Sequence, residues 1–300
     1  MRLKAALSKY KYLLAILFSI TLLMHCAGMP KELKEFFALP LPAVEKGSYP
    51  YGAGRISYVR TGNPDGMPVV FIHGTPGSWE DWKLVLARPR LKRRFNLIAV
   101  DRPGWDDASP DAPVVPDLSV QSEMLHKVLD MGKPGQKAIL VGHSLGGPIA
   151  LQMAVDYPDK VAAVVLLAPC LDPDLDAVRW YNKLADNKLA RLILPQKLAK
   201  ANDEIMALPQ SLRALGKKLA SIRMPVVLVQ GDKDELVDPG NAAYAKKKLI
   251  HARFHEVILP NFGHLIPHMR PAEVVLAIEA AAGMVDGSTL PIDAAALPKQ

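Results

Sequence analysis

Ser144 stands between Gly142 and Gly146 in the run ILVGHSLGGPIALQMA, residues 139–154. A serine hydroxyl is a weak nucleophile near neutral pH. It needs a base to take its proton and a carboxylate to orient that base. Both types follow downstream. The stretch GDKDELVDP supplies Asp232, Asp234 and Asp238, and NFGH ends in His264. Nucleophile, acid, histidine is the order in which a Gly-x-Ser-x-Gly serine meets its partners.

The spacing has a steric reason. An apolar run (KAILVG, 137–142) precedes the serine and a helical pattern follows it. A strand-to-helix turn that tight brings the positions two before and two after the serine into collision, so both must be glycine. The helix that starts there turns its positive dipole end and unpaired N–H groups toward the hydroxyl. The backbone N–H of Leu145 then becomes one candidate donor to a developing oxyanion. Taken alone the motif is weak, and its weight comes from the elements around it.

Those elements alternate along the chain. RISYVR (55–60) has period two and predicts a half-exposed strand. PVVFIHG (68–74), NLIAVD (96–101), KAILVG (137–142), VAAVVLLA (161–168), PVVLVQG (225–231) and HEVILP (255–260) are short Val-, Ile- and Leu-rich runs. Such runs suit strands buried on both faces of a parallel sheet. Helical patterns lie between most of them, which predicts an α/β fold with helices on both faces. Asp234 and His264 each fall just past the carboxyl end of a predicted strand, where ligand chemistry on open α/β sheets collects.

The landmarks HGTPGS, DRPGWDDAS, GHSLGG, GDKDELVDP and NFGH follow one another in order. From about Arg55 to Gly283 the chain thereby resembles the α/β-hydrolase superfamily, in its serine-hydrolase (esterase or lipase-like) branch. The resemblance implies a Ser144–Asp234–His264 triad, with Asp232 as a turn residue. It places the second oxyanion donor at Thr75, in the loop after FIHG. It implies cleavage of a small-molecule or lipid carboxylic ester through an acyl-enzyme, with no cofactor. An aminopeptidase-like enzyme and a carbon–carbon bond hydrolase share these parts, and a non-catalytic, membrane-tethered binding module could retain the fold. A serine in place of an aspartate at the elbow argues against haloalkane dehalogenase and epoxide hydrolase chemistry.

The other prominent residues have plainer readings. His143 reads as elbow packing, His126, His251 and His255 as surface or core residues, and Trp79, Trp82 and Trp105 as packing or pocket lining. Asp101 and Arg102 read as stabilisers of their own loop through local hydrogen bonds. Residues 171–224 hold amphipathic stretches and no strand signal, which predicts a helical lid insertion. One helical face there would carry Leu175, Val178, Tyr181, Leu184 and Ala185. The basic residues of this segment, Lys217 and Lys218 among them, could rest against anionic lipid.

The net charge of +7 is not spread as in a nucleic-acid-binding protein. Arg2, Lys4, Lys9 and Lys11 precede the apolar run 13–24, and removing those four leaves +3. A basic segment followed by about a dozen apolar residues reads as an export signal. LLMHCAG (22–28) resembles a bacterial lipoprotein signal with Cys26 as the lipidated residue, although His25 departs from that pattern. Lipoprotein, other signal peptide and uncleaved anchor remain open; the expectation is an exported, membrane-associated protein, a lipoprotein or N-terminally anchored on the extracytoplasmic side. Cys170 is the other of the two cysteines and predicts no disulfide framework. No histidine pair has metal-ligand spacing. The expected organisation is signal or anchor 1–28, tether 29–54, core 55–170, lid 171–224, core 225–284 and a loose tail 285–300.

Overall fold

The computed structural model describes residues 31–51, 54–105 and 112–288. The expected signal segment with Cys26, and the tail from 289 onward, lie outside them. The chain divides into two compact units, residues 1–40 and 41–300. In the first, helix α1 (Lys31–Ala38) carries an i,i+4 ion pair between Lys31 and Glu35. Among the described residues no helix is long and apolar enough to cross a membrane.

The second unit is built on one eight-stranded sheet. Its strands are β1 (Glu45–Tyr51), β2 (Gly54–Gly62), β3 (Met67–Ile72), β4 (Phe95–Val100), β5 (Ala138–His143), β6 (Val161–Leu167), β7 (Val226–Gly231) and β8 (Phe254–Leu259). They lie in the order β1-β2-β4-β3-β5-β6-β7-β8. From β4 to β8 every pairing is parallel, while β1 and β2 join antiparallel at one edge. Every residue of β5, β6 and β7 is buried, which is why these runs read as continuously apolar.

The helices follow in chain order: α2 (Lys83–Leu86), α3 (Pro89–Arg94), α4 (Leu118–Leu125), α5 (Gly146–Asp156), α6 (Trp180–Ala185), α7 (Lys188–Arg191), α8 (Gln196–Gly216), α9 (Gly240–Lys248), α10 (Ile266–Met269) and α11 (Pro271–Val285). Strand alternation divides the core in two. Val70, Ile72, Ile98 and Leu140 pack with Leu118 and Leu125 of α4, Ile149 of α5 and Leu212 of α8. Val69, Phe71, Leu97 and Val141 pack on the opposite side with Trp82 and with Val274 and Ile278 of α11. Truncating one such fully buried residue, Leu140→Ala for example, costs about 2–5 kcal/mol.

Two expectations need correction. The proline-rich stretch 30–50 read as a tether without regular structure, yet it contains α1 and β1, and the sheet begins before residue 55. Pro50 sits inside β1 opposite Arg55. An edge strand tolerates it because one side of its backbone needs no ladder partner. The apolar face expected over 175–185 also does not form as one helix. Asp174 N–H bonds the Asp172 carboxylate and Asp176 N–H the Asp172 carbonyl, making a turn there, and α6 starts only at Trp180. Leu175 and Tyr181 are exposed, and the buried side chain of α6 is Asn182, bonded to Asn202 of α8.

Candidate active site

Ser144 sits between the end of β5 and the start of α5 with φ of +53°, the left-handed region that a non-glycine residue occupies only when packing over-determines it. The flanking glycines show how. A Cβ on Gly142 would lie 2.3 Å from the Gly146 carbonyl oxygen, and one on Gly146 would lie 2.1 Å from the Ile72 carbonyl oxygen. Neither position accepts any side chain without moving backbone. Ser144 N–H donates to Leu167 of the neighbouring β6, and its carbonyl accepts from Gly147 N–H, both at 2.9 Å. Leu145 precedes the first residue of α5, so its N–H belongs to the turn that has no intrahelical partner.

The structure brings Asp234 and His264 together: His264 Nδ1 donates to Asp234 Oδ2 at 2.7 Å. Asp234 is buried, and its other oxygen accepts the backbone N–H groups of Leu236 (3.0 Å) and Val237 (2.9 Å). Gln230 Nε2 adds a bond to Oδ2 at 3.2 Å. The carboxylate is therefore fixed in rotation with one lone pair aimed at the imidazole. Asp232 is an exposed turn residue that accepts Phe262 N–H, and Asp238 is exposed and bonds Gly240 N–H, so neither competes for this position.

The loops after β7 and β8 meet because Gly231 has no side chain. A Cβ there would lie 2.3 Å from the Phe262 carbonyl oxygen and 2.5 Å from that of Gly263. Lys233 N–H bonds the Phe262 carbonyl at 2.8 Å, closing the junction. His143 then links this pair to the elbow. Its ring lies 4.7 Å from that of His264, centroid to centroid, and its Nε2 donates to the His264 carbonyl at 3.0 Å. Burial, with His264 and His268 nearby, holds His143 well below the ordinary histidine range, so it stays neutral and keeps the elbow-to-loop bond. His264 is thus carried to the residue next to Ser144. The Ser144 hydroxyl itself is turned toward the Cys170 thiol, 3.9 Å away, and a rotation about χ1 moves it. Burial pushes that thiol far up, so it is a packing neighbour and not a competing nucleophile.

The loop after β3 completes the site. Gly74 lies against the elbow, since a Cβ on it would be 2.9 Å from Ser144 Cβ. Thr75 follows, with a buried hydroxyl that has no hydrogen-bond partner among the described residues. His73 is fully buried. Its Nε2 accepts Arg102 N–H at 3.0 Å, which leaves the ring proton on Nδ1, 2.8 Å from the Gly74 carbonyl. Burial, and secondarily the Arg102 guanidinium, holds His73 well below its ordinary range, in keeping with that neutral tautomer.

Arg102 is not the local loop stabiliser that its sequence position suggested. It is fully buried and makes a two-pronged ion pair with Glu204 of α8: Nη1 to Oε1 at 2.6 Å and Nη2 to Oε2 at 2.9 Å. Trp105 Nε1 donates to the same carboxylate at 3.2 Å. Asp101 accepts the backbone N–H of Trp79 at 2.8 Å, and Trp79, Trp82 and Trp105 are all buried. Glu204 carried no sequence signal, being one of many charges on an amphipathic helix. Among the described residues no cluster of three histidine, cysteine or acidic side chains is placed to hold a metal ion.

Comparison with known proteins agrees with this architecture. Residues 67–218 match the family described as alpha/beta hydrolase fold. The chain is 24% identical over 272 residues to Epoxide hydrolase 3 of Mus musculus, covering 73% of this chain and 71% of that one. It is 35% identical over 125 residues to 2-hydroxymuconate semialdehyde hydrolase of Pseudomonas sp. (strain CF600), covering 39% and 43%. The structure of naproxen esterase from Bacillus subtilis superposes with a TM-score of 0.57 at 19% identity, over 83% of this chain and 95% of that one, a likeness of fold. With an eight-stranded sheet, an elbow serine and a family match over half its length, this chain belongs to the alpha/beta hydrolase fold family.

Proposed function

We propose that the protein is a serine hydrolase that cleaves carboxylic esters through an acyl-enzyme. The observation that carries this reading is the 2.7 Å contact from His264 Nδ1 to Asp234 Oδ2, with His264 packed on His143, the residue before a serine in a left-handed strand-to-helix turn. With Nδ1–H committed to Asp234, His264 Nε2 is the ring atom left to accept the Ser144 proton. Ser144 attacks the ester carbonyl, and the N–H groups of Leu145 and Thr75 take the oxyanion. Two such donors contribute a few kcal/mol each to the transition state. His264 then passes the proton to the departing alkoxide. Water enters and hydrolyses the acyl-enzyme by the same proton route, while Asp234 steadies the imidazolium throughout.

Several relatives open epoxides by name, but Ser144 fills the position where that chemistry uses a carboxylate. Carbon–carbon bond cleavage, which the same three side chains could serve, is a second reading, and one matched Pseudomonas protein is by name a hydrolase of a semialdehyde and not of an ester. Ser144→Ala separates these readings from a non-catalytic one. The expected outcome is complete loss of short-chain nitrophenyl ester turnover and of covalent labelling by a fluorophosphonate probe. Full residual activity in that variant would end the proposal.

The protein's place is proposed on sequence alone: an exported hydrolase tethered to a membrane through residues 1–28. The basic-then-apolar order of that segment supports it, as does a cysteine two residues past the apolar run. Incorporation of a fatty-acid analogue into the wild type and not into Cys26→Ala is expected. An unlabelled wild type removes the lipid anchor.

A further inference from the structure

The Gly74 carbonyl, one peptide before the proposed oxyanion donor, is held by two donors. His73 Nδ1–H reaches it at 2.8 Å and Arg102 Nη2 at 2.8 Å. In a trans peptide the C=O and the N–H point in opposite directions. Fixing the Gly74 oxygen toward Arg102 therefore fixes the Thr75 N–H to face away from it. A charged donor on the carbonyl also polarises the amide, which strengthens the N–H on its far side as a hydrogen-bond donor. Orientation and strength of that N–H both depend on where the guanidinium sits.

The guanidinium is located by Glu204. Both oxygens of that carboxylate engage Arg102, and the side chains of the pair are 0% and 1% exposed. Gln121 Oε1 accepts Nη1 at 3.1 Å, and Trp105 Nε1 holds Oε2. Glu204 belongs to α8, in the segment between β6 and β7, and no part of the sheet supplies this carboxylate. Lys200, one turn earlier on the same helix, bonds the Gly104 carbonyl at 2.8 Å and fixes the helix to the loop that bears Arg102.

We propose that Arg102 and Glu204 are positioning residues that clamp the Gly74–Thr75 peptide, so that stabilisation of the oxyanion depends on α8 being docked. This rests on the serine-hydrolase reading above. The segment between β6 and β7 is then part of the catalytic apparatus in a mechanical sense. It sets the direction of a backbone N–H that it does not itself supply.

The test compares the full-length wild type with Glu204→Gln and with the double variant Arg102→Met/Glu204→Met. The first keeps the shape of the carboxylate and loses its charge. The second replaces a buried ion pair with apolar side chains of similar bulk, a change that folded proteins often accept. Asn202→Ala, which removes a buried hydrogen bond elsewhere on α8, reports on loss of helix packing alone. Turnover of a short-chain nitrophenyl ester should fall by about 100-fold in kcat, with KM within about threefold, because one misaimed donor weakens the transition state and not substrate binding. The melting temperature of the double variant should stay near that of the wild type, and Asn202→Ala should keep its kcat. A folded double variant whose kcat is within about threefold of wild type overturns the clamp. So does a parallel loss of kcat in Asn202→Ala. Fluorophosphonate labelling of the wild type distinguishes the two levels. If Ser144 is not labelled, the serine reading fails and the clamp with it. If it is labelled and the double variant turns over normally, the clamp alone fails.

Discussion

Within the segment between β6 and β7, Glu204 meets Arg102 with both partners buried, whereas Arg191 meets Asp186 and Asp203 at the surface. The rear helix α8 also buries Leu208, Leu212 and Leu215 in the core. The front, α6 and α7 with the two residues that follow, leaves Trp180, Leu189, Leu192 and Ile193 exposed. The chemistry of the ion pairs is the same, and their surroundings are not. Water and salt screen the front pair, while at the rear the loss of either partner strands a charge in a medium that cannot solvate it. The segment is therefore held more firmly at α8 than at α6 and α7, and its local opening energy should fall from α8 toward α7.

Breaking the rear pair should give the largest effect. Arg102→Ala or Glu204→Ala is expected to cost about 3–5 kcal/mol, read from the denaturant midpoint, because each leaves its partner unpaired. A loss below about 1 kcal/mol would mean that water reaches the pair and that the contrast is false. Asp176 sharpens the comparison from the other side. It is a largely buried carboxyl near the front, and its Oδ2 has no hydrogen-bond partner among the described residues. Burial pushes its pKa up to about 7, against an ordinary 3.8. The native state then binds a proton that the unfolded chain has released, so stability falls as pH rises from about 4 to about 7 and levels off above. The span is on the order of 4 kcal/mol if the full shift is realised. Asp176→Asn should flatten that part of the stability–pH curve, and an unchanged slope would assign it to another group. The smallest effect belongs to the front. Arg191→Ala should cost about 0–1 kcal/mol and less still in high salt. A loss comparable to that at Arg102 would show that front and rear are held alike.

What the sequence made legible follows from how local each signal is. The buried strands β3 to β7 were readable because parallel strands covered on both faces are apolar throughout. Ser144 and its glycines were readable because the crowding at Gly142 and Gly146 is set within five residues. Choosing Asp234 over Asp232 needed the family resemblance; in the structure it is Asp234 that bonds His264 and receives the Leu236 and Val237 N–H groups. β1 was missed because its edge position excuses Pro50, whereas prolines otherwise signal irregular chain. Arg102 was misread as local because its partner is 102 residues away and sits in a helix among many charges. Gly231 was invisible for the same reason, since its neighbours are the carbonyls of Phe262 and Gly263 on another loop.

That glycine has a consequence for how the site can move. Lys233 N–H to the Phe262 carbonyl and Phe262 N–H to the Asp232 carboxylate lace the two loops together around residue 231. Neither loop can travel without carrying the other. The Asp234 carboxylate and the His264 imidazole thus ride on two loops bonded to each other, so a shift of either loop is transmitted to both members of the pair.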